Sequence, residues 1–365
     1  MLALLVLGGC AATNTGRPPG GPGIVAGADP DAAPSTSGPG GPAPEPSTDF
    51  ESTREPWDFN GTAGWVLGSA NYRLHTTGRK SWMHEYALRF AEQALAHYRT
   101  AIADLPAPSR PLEVFLFGDR EEWKDHTRTV MKDNAELYLN LGRGGYATRG
   151  MAVLYDISFN DTFAIMAHEG WHQYTQVTFQ HPLPTWLEEG LATYMEGRRQ
   201  IPGRSIEFLP WLNPQRMGAL RRAYANRQII PLVELLDRSP QYFLERDGGR
   251  DSTALLTYYA QVWALTHFLV SGENGRYRDG LERALRDAAA GKLVSTILNS
   301  SAIPRTSDRR RLATSPTGAG VLLTYFSDDL GEFGAQYERF IEELVTEQAA
   351  GFPRANAGAL DGPER

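Results

Sequence analysis

The stretch that most constrains this chain is His168-Glu169-Gly170-Trp171-His172. Two imidazoles four residues apart share one face only on a helix, where positions i and i+4 stack one above the other. Placed so, both rings can hold one Zn²⁺ at about 2.0–2.1 Å. Glu169 sits one step round the helix, where its carboxylate reaches a water on the metal instead of the metal itself. A helix over Asn160 to about Phe179 is therefore required, and whatever surrounds it must supply further ligands.

A catalytic zinc takes a third protein ligand and keeps one position open. A third His six residues after His172 is excluded because position 178 is Thr, and the inverted motif is absent. The remaining pattern is a Glu on a following helix. Pro184-Thr-Trp-Leu-Glu-Glu-Gly-Leu-Ala-Thr-Tyr-Met-Glu196 offers Glu188, Glu189 and Glu196 on a helix opened by Pro184. Trp186, Glu189, Thr193 and Glu196 fall on one stripe, and Glu188 lies about 100° away. That geometry sets Glu189 and Glu196 together on one stripe and leaves Glu188 as a solvated face charge.

This pair of segments resembles the gluzincins, the superfamily of thermolysin and the zinc aminopeptidases. The aminopeptidase branch carries its ligand in Asn-Glu-Gly-Phe-Ala, which Glu188-Glu189-Gly190-Leu191-Ala192 matches at Glu189. The resemblance implies a zinc-dependent peptidase with Glu169 as general base. It gives Glu196 a place hydrogen-bonding a ligand imidazole, the alternative being a solvated charge. Tyr259-Ala-Gln-Val-Trp is similar to the branch's later helix, whose Tyr stabilises an oxyanion; Val262 stands where that helix has Gly. The implied catalytic phenol is Tyr259, or failing that Tyr258. The branch also implies a substrate-pairing edge strand within Gly144–Tyr155. Its amine-holding Glu is missing from Gly150-Met151-Ala152, so an endopeptidase acting on a peptide or protein fits better than an aminopeptidase. With Trp-Leu-Glu-Glu-Gly-Leu-Ala and Tyr-Ala-Gln-Val-Trp together, residues 57–350 look like a gluzincin-like family of unknown specificity found in bacterial envelope proteins.

The rest of the chain limits where such a domain lies. Residues 11 to about 56 are Gly, Pro, Ala, Ser and Thr with scarcely a large apolar side chain. They cannot bury enough surface to offset their ordering entropy, and read as a tether over 10–56. Ahead of it, an apolar run and two Gly precede Cys10, the sole Cys among 365 residues. That resembles a lipoprotein leader over 1–9 with Cys10 lipidated, which implies an extracytoplasmic, lipid-anchored envelope protein with no other membrane attachment. One Cys excludes an intrachain disulfide or a multi-Cys metal site. The net charge of −7 argues against a nucleic-acid face.

Order should begin near Trp57 and divide into a strand-containing half, 57–159, and a mostly helical half, 160–350, ahead of a tail over 351–365: an α+β, zincin-like plan. Strands are expected over Asn71–Thr76, Leu112–Phe117 and Met151–Tyr155. Helices are expected over Ser81–Ala103, after Asp119, and over Pro214–Asn226, Leu232–Leu236, Ala254–Val270, Arg276–Ala290 and Asp328–Ala350. Gly142–Gly145 reads as a turn, and residues 299–320 as a long loop holding a solvated Arg309-Arg310-Arg311. The remaining histidines (75, 84, 97, 126, 181 and 267) read as surface or packing residues. A competing function is a catalytically silent binding lipoprotein on the same peptidase-like frame.

Overall fold

The computed structural model of the chain describes residues 51–139, 144–200, 206–246 and 253–346. Cys10, the leader, the tether up to residue 50 and the tail over 351–365 lie outside the described residues. The architecture is α+β. A six-stranded mixed sheet is built from β1 (Thr53–Phe59), β2 (Thr62–Gly68), β3 (Tyr72–Thr76), β4 (Leu112–Phe117), β5 (Tyr146–Thr148) and β6 (Met151–Tyr155), in the order β1-β2-β3-β4-β6-β5. Strands β3, β4 and β6 run parallel, with Leu74, Val114 and Ala152 in register. The outer pairs β1–β2, β2–β3 and β5–β6 are antiparallel.

Helix α1 (Ser81–Thr100) crosses from β3 to β4, and α2 (Arg120–Met131) and the short α3 (Ala135–Leu139) follow β4. Alternation along the strands sends Phe115, Phe117 and Tyr155 to one face, where α2 lays His126 and Trp123 against them. Helix α4 (Phe159–Thr178) follows β6 and packs with α1 along β5 and β6. Next come α5 (Thr185–Met195), a small hairpin of β7 (Arg198–Gln200) and β8 (Ile206–Phe208), then α6 (Pro214–Ala225), α7 (Leu232–Asp237) and α8 (Pro240–Arg246). Helix α9 (Thr253–Ser271) is almost wholly buried and packs on α5 and α6. The chain continues through α10 (Arg278–Ala289), α11 (Leu293–Leu298), α12 (Thr306–Thr314), α13 (Gly320–Tyr325) and α14 (Leu330–Thr346). No helix among the described residues is long and apolar enough to cross a membrane.

Two expectations need correction. Strand β1 begins at Thr53, so residues 53–56 belong to a strand and not to the tether. Strand β1 is mostly exposed and is held by pairing with β2 through a turn at Asn60-Gly61, both with positive φ (52° and 87°). Asn-Gly between two β-prone runs is the strongest short hairpin signal, and it outweighs the lack of apolar residues. The 299–320 loop contains α12, so the three arginines lie on a helix; Arg309 Nε donates to the Ile303 carbonyl at 2.5 Å and pins the entry to that helix. The half after residue 160 is mostly helical, as expected, with one small hairpin where β7 and β8 pair within it. Of the turn at Gly142–Gly145, only Gly144 and Gly145 are described.

Candidate metal centre

Helix α4 begins where Ser158 accepts a hydrogen bond from the Asp161 amide at 3.1 Å. Its middle lies against α1, where the Tyr98 hydroxyl donates to the Ala167 carbonyl at 2.8 Å. That approach explains Gly170: a Cβ there would stand 2.6 Å from the Tyr98 hydroxyl oxygen. Helix α5 is buried on every side. A Cβ on Gly190 would meet Thr266 Oγ1 at 2.5 Å and the Val262 carbonyl at 2.8 Å, so α9 lies directly on α5 only because position 190 has no side chain.

These contacts bring His168, His172 and Glu189 together, all buried. The two Nε2 atoms are 3.2 Å apart, and Glu189 Oε2 lies 3.4 Å from one and 3.5 Å from the other. The carboxylate distances exceed the ~2.7–2.9 Å of a charge-assisted hydrogen bond. They match a different arrangement. Four ligands at about 2.0–2.2 Å around a tetrahedral ion stand about 3.3–3.6 Å from one another. Neither Glu189 oxygen has a hydrogen-bond partner, nor does either Glu169 oxygen, and both side chains are fully buried. Buried carboxylate oxygens are costly when unpaired, and two in one place mark a site built for something that binds there. The residues present fit a metal ion with nitrogen and oxygen ligands.

The back of each imidazole is held. His168 Nδ1 lies 2.9 Å from Glu196 Oε1, and His172 Nδ1 lies 2.9 Å from Glu188 Oε1. A carboxylate only accepts, so each Nδ1 carries a proton and each ring turns its Nε2 toward Glu189, the nitrogen that can bind an ion once it has lost its own proton. Glu196 is further bound by Arg216, with Nη2 donating at 2.6 Å to Oε1 and Nε at 3.1 Å to Oε2, and by Asn213 Nδ2 at 2.7 Å. Glu196 thus occupies the place the resemblance implies. Glu188 does not fit its expectation: it is buried, and its Oε1 also accepts from Thr175 Oγ1 at 2.7 Å. Counting helix faces assumes a single covered side, and α5 has no solvated stripe for Glu188 to occupy.

Electrostatics follow from this packing. Burial opposes charging His172, but Glu189 and Glu188 outweigh it and push its pKa up to about 10 in the metal-free site. His168 is raised the same way by Glu189 and Glu196 against burial. Burial also opposes the Glu189 carboxylate, yet the two imidazoles hold it well below the usual range. Arg216, with His168, brings Glu196 down to about 2 despite its burial. Glu169 goes the other way: burial lifts it to about 7, the imidazoles opposing and Glu189 assisting.

Both candidate tyrosines of α9 are buried beside the cluster. The Tyr259 ring stands edge-on to His168, with centroids 6.1 Å apart, and the Arg216 guanidinium lies 5.1 Å over it. Tyr258 stacks on Phe243, and its hydroxyl has no hydrogen-bond partner. Burial, with Glu189's charge, raises the Tyr258 phenol well above its ordinary value. The sequence reading missed Asn213, Arg216 and Thr175. Asn213-Pro214 carries an N-cap signal, and Asn213 does cap α6, but nothing in spacing points Arg216 at Glu196. It also missed Tyr138, whose buried hydroxyl is unpartnered and whose pKa is raised by burial, then Tyr146, then the charge of Glu169.

Among the described residues the other histidines stand apart from the cluster. His75 and His126 stack on Phe115, His97 stacks on Phe208, and His267 lies edge-on to Trp263. His84 Nε2 meets the Gly78 carbonyl at 2.7 Å, and His181 Nδ1 accepts from the Val294 amide. The edge strand expected within Gly144–Tyr155 is β5 alone, since β6 lies inside the sheet between β4 and β5. Its turn is Arg149-Gly150, tied to α4 where Gln173 Nε2 donates to the Gly150 carbonyl at 2.9 Å.

No curated protein matches the chain. Residues 162–290 are similar to a family described as "Protein of unknown function (DUF1570)", a span that contains every residue of the cluster and its supports on α4, α5, α6 and α9.

Proposed function

We propose that this protein is a zinc-dependent peptidase that hydrolyses internal peptide bonds, and that the residues ahead of the domain anchor it to the outside of a bacterial membrane through Cys10. The observation that carries the reading is the triangle of two imidazole nitrogens and one carboxylate oxygen, with edges of 3.2–3.5 Å, beside a second buried carboxylate with no hydrogen bond of its own. A purely structural zinc site closes its fourth position with Cys or His, and no such residue joins this cluster among the described residues.

His168, His172 and Glu189 would hold the ion, which when bound supplies a Lewis acid that acidifies water and polarises a carbonyl. Glu169, next to those ligands and free of other bonds, takes a proton from the attacking water and later gives it to the leaving amine. Its elevated pKa suits a group that must both accept and release a proton near neutrality. Glu196 and Glu188 keep the two imidazoles turned toward the ion. Tyr259 donates to the developing oxyanion, with Tyr258 as the alternative donor. An extended peptide would pair through its main chain with β5, the edge strand beside β6. No carboxylate stands on Gly150-Met151-Ala152 to fix a substrate's terminal amine, which favours internal bonds.

The test is a Glu169→Gln variant assayed on a peptide library alongside the wild type, with zinc measured in both. The reading expects unchanged zinc and a loss of at least ~10³-fold in cleavage. A wild type that binds peptides but cuts none, or a fully active variant, overturns it; the first result would favour a binding protein on the same frame.

A further inference from the structure

Glu188 and Glu196 look alike in their contacts with the imidazoles, but their surroundings differ. Glu196 is neutralised by Arg216 through two hydrogen bonds and accepts a third from the uncharged Asn213 amide. Among the described residues Glu188 makes no ion pair with Arg or Lys; its Oε1 accepts only from His172 Nδ1 and Thr175 Oγ1. Its negative charge is therefore spent on one imidazole. Glu188 and its neighbour Glu189 act on opposite ends of the same ring, Glu188 at Nδ1 and Glu189 near Nε2. Thr175, three residues after His172 on α4, fixes the carboxylate, so the whole arrangement depends on α4 and α5 alone.

We propose that Glu188 is a positioning residue whose uncompensated charge strengthens His172 as a metal ligand, so that the His172 side of the site sets how tightly the ion is retained. The proposal rests on the zinc reading given above. A carboxylate behind a ligand imidazole fixes the tautomer and raises the basicity of the nitrogen facing the metal, and loss of such a partner weakens binding about 10–100-fold. The Arg216-neutralised Glu196 orients His168 with less of that electronic effect.

The experiment measures zinc affinity by competition with a chromogenic chelator on the full chain, and the visible absorption of the cobalt(II)-loaded protein. Glu188→Ala removes both charge and acceptor. Glu188→Gln keeps an acceptor of the same shape for His172 and Thr175 but loses the charge. Affinity should fall about 10–100-fold in the first and by a smaller factor, still above three-fold, in the second, with a changed cobalt spectrum in the Ala variant. If the Ala variant does not fold, as judged by circular dichroism, the Gln variant decides alone. Wild-type affinity within two-fold for Glu188→Gln and for a folded Glu188→Ala overturns the inference while leaving the zinc site standing. A wild type that takes up neither zinc nor cobalt overturns both readings.

Discussion

Single residues settle the chemistry here through charge held out of water. Arg216 and Glu196 form a buried pair inside the second layer of the site, and removing one partner of such a pair leaves the other charged and unsupported. Arg216→Ala is expected to cost about 3–5 kcal/mol in denaturant unfolding of the metal-free protein. A cost under ~1 kcal/mol would show that Glu196 is not held in this way. The imidazoles set a pH dependence of definite sign. The folded pKa of His172, about 10, lies above its ordinary value of 6.5, so its proton stabilises the metal-free fold fully below about 6.5, and that contribution is lost as pH rises through about 10. Zinc must displace this proton, so its affinity rises over the same interval. Melting curves at pH 7 and 9.5, with and without zinc, should show the metal-free form losing stability and the difference between forms widening. That His168 and His172 lie side by side was legible in the sequence because their spacing is a helical period. Glu188 was misread because a helix wheel assigns one inner face to a helix that is enclosed all round. Arg216 was illegible, because it reaches Glu196 only once α5 and α6 have both packed on α9.

At the scale of elements, the site depends on close helix contacts that glycines permit. Gly190→Ala puts a methyl 2.5 Å from the Thr266 hydroxyl and 2.8 Å from the Val262 carbonyl. The hydroxyl can turn away; the carbonyl cannot, so α9 must move off α5. We expect a loss of about 1–3 kcal/mol in stability together with weaker zinc binding, since Tyr258, Tyr259 and Glu189 meet across that contact. A variant as stable and as zinc-avid as the wild type would show that α9 tolerates the shift. Elements with a strong apolar period, such as α1 and β4, were legible to within a few residues. Those missed have other signals: β1 and β5 are fixed by turns at Asn60-Gly61 and Arg149-Gly150, all four residues at positive φ, and α12 has a polar sequence anchored by Arg309. Their order comes from pairing and tertiary contacts, which a local pattern does not carry.

For the whole molecule, α4 joins the two parts: it packs on β5 and β6 on one side and on α5 on the other, where the cluster sits, with α6 and α9 packed behind α5. An ion there would tie together the two successive helices α4 and α5, so metal binding and folding are coupled. Chelation is expected to lower the melting temperature, and free zinc at 100 times the dissociation constant to restore about 2.7 kcal/mol. An α+β plan was legible from the order of strands and helices, and the site from two short segments. That both imidazoles are backed by carboxylates, one neutralised and one not, depends on the assembled fold. The most direct test of the central claim is zinc per chain, by elemental analysis, in the purified domain and in its Glu189→Ala variant. About one zinc in the first and almost none in the second is the expected result; a wild type without zinc, or a variant that keeps it, would contradict a site made of His168, His172 and Glu189.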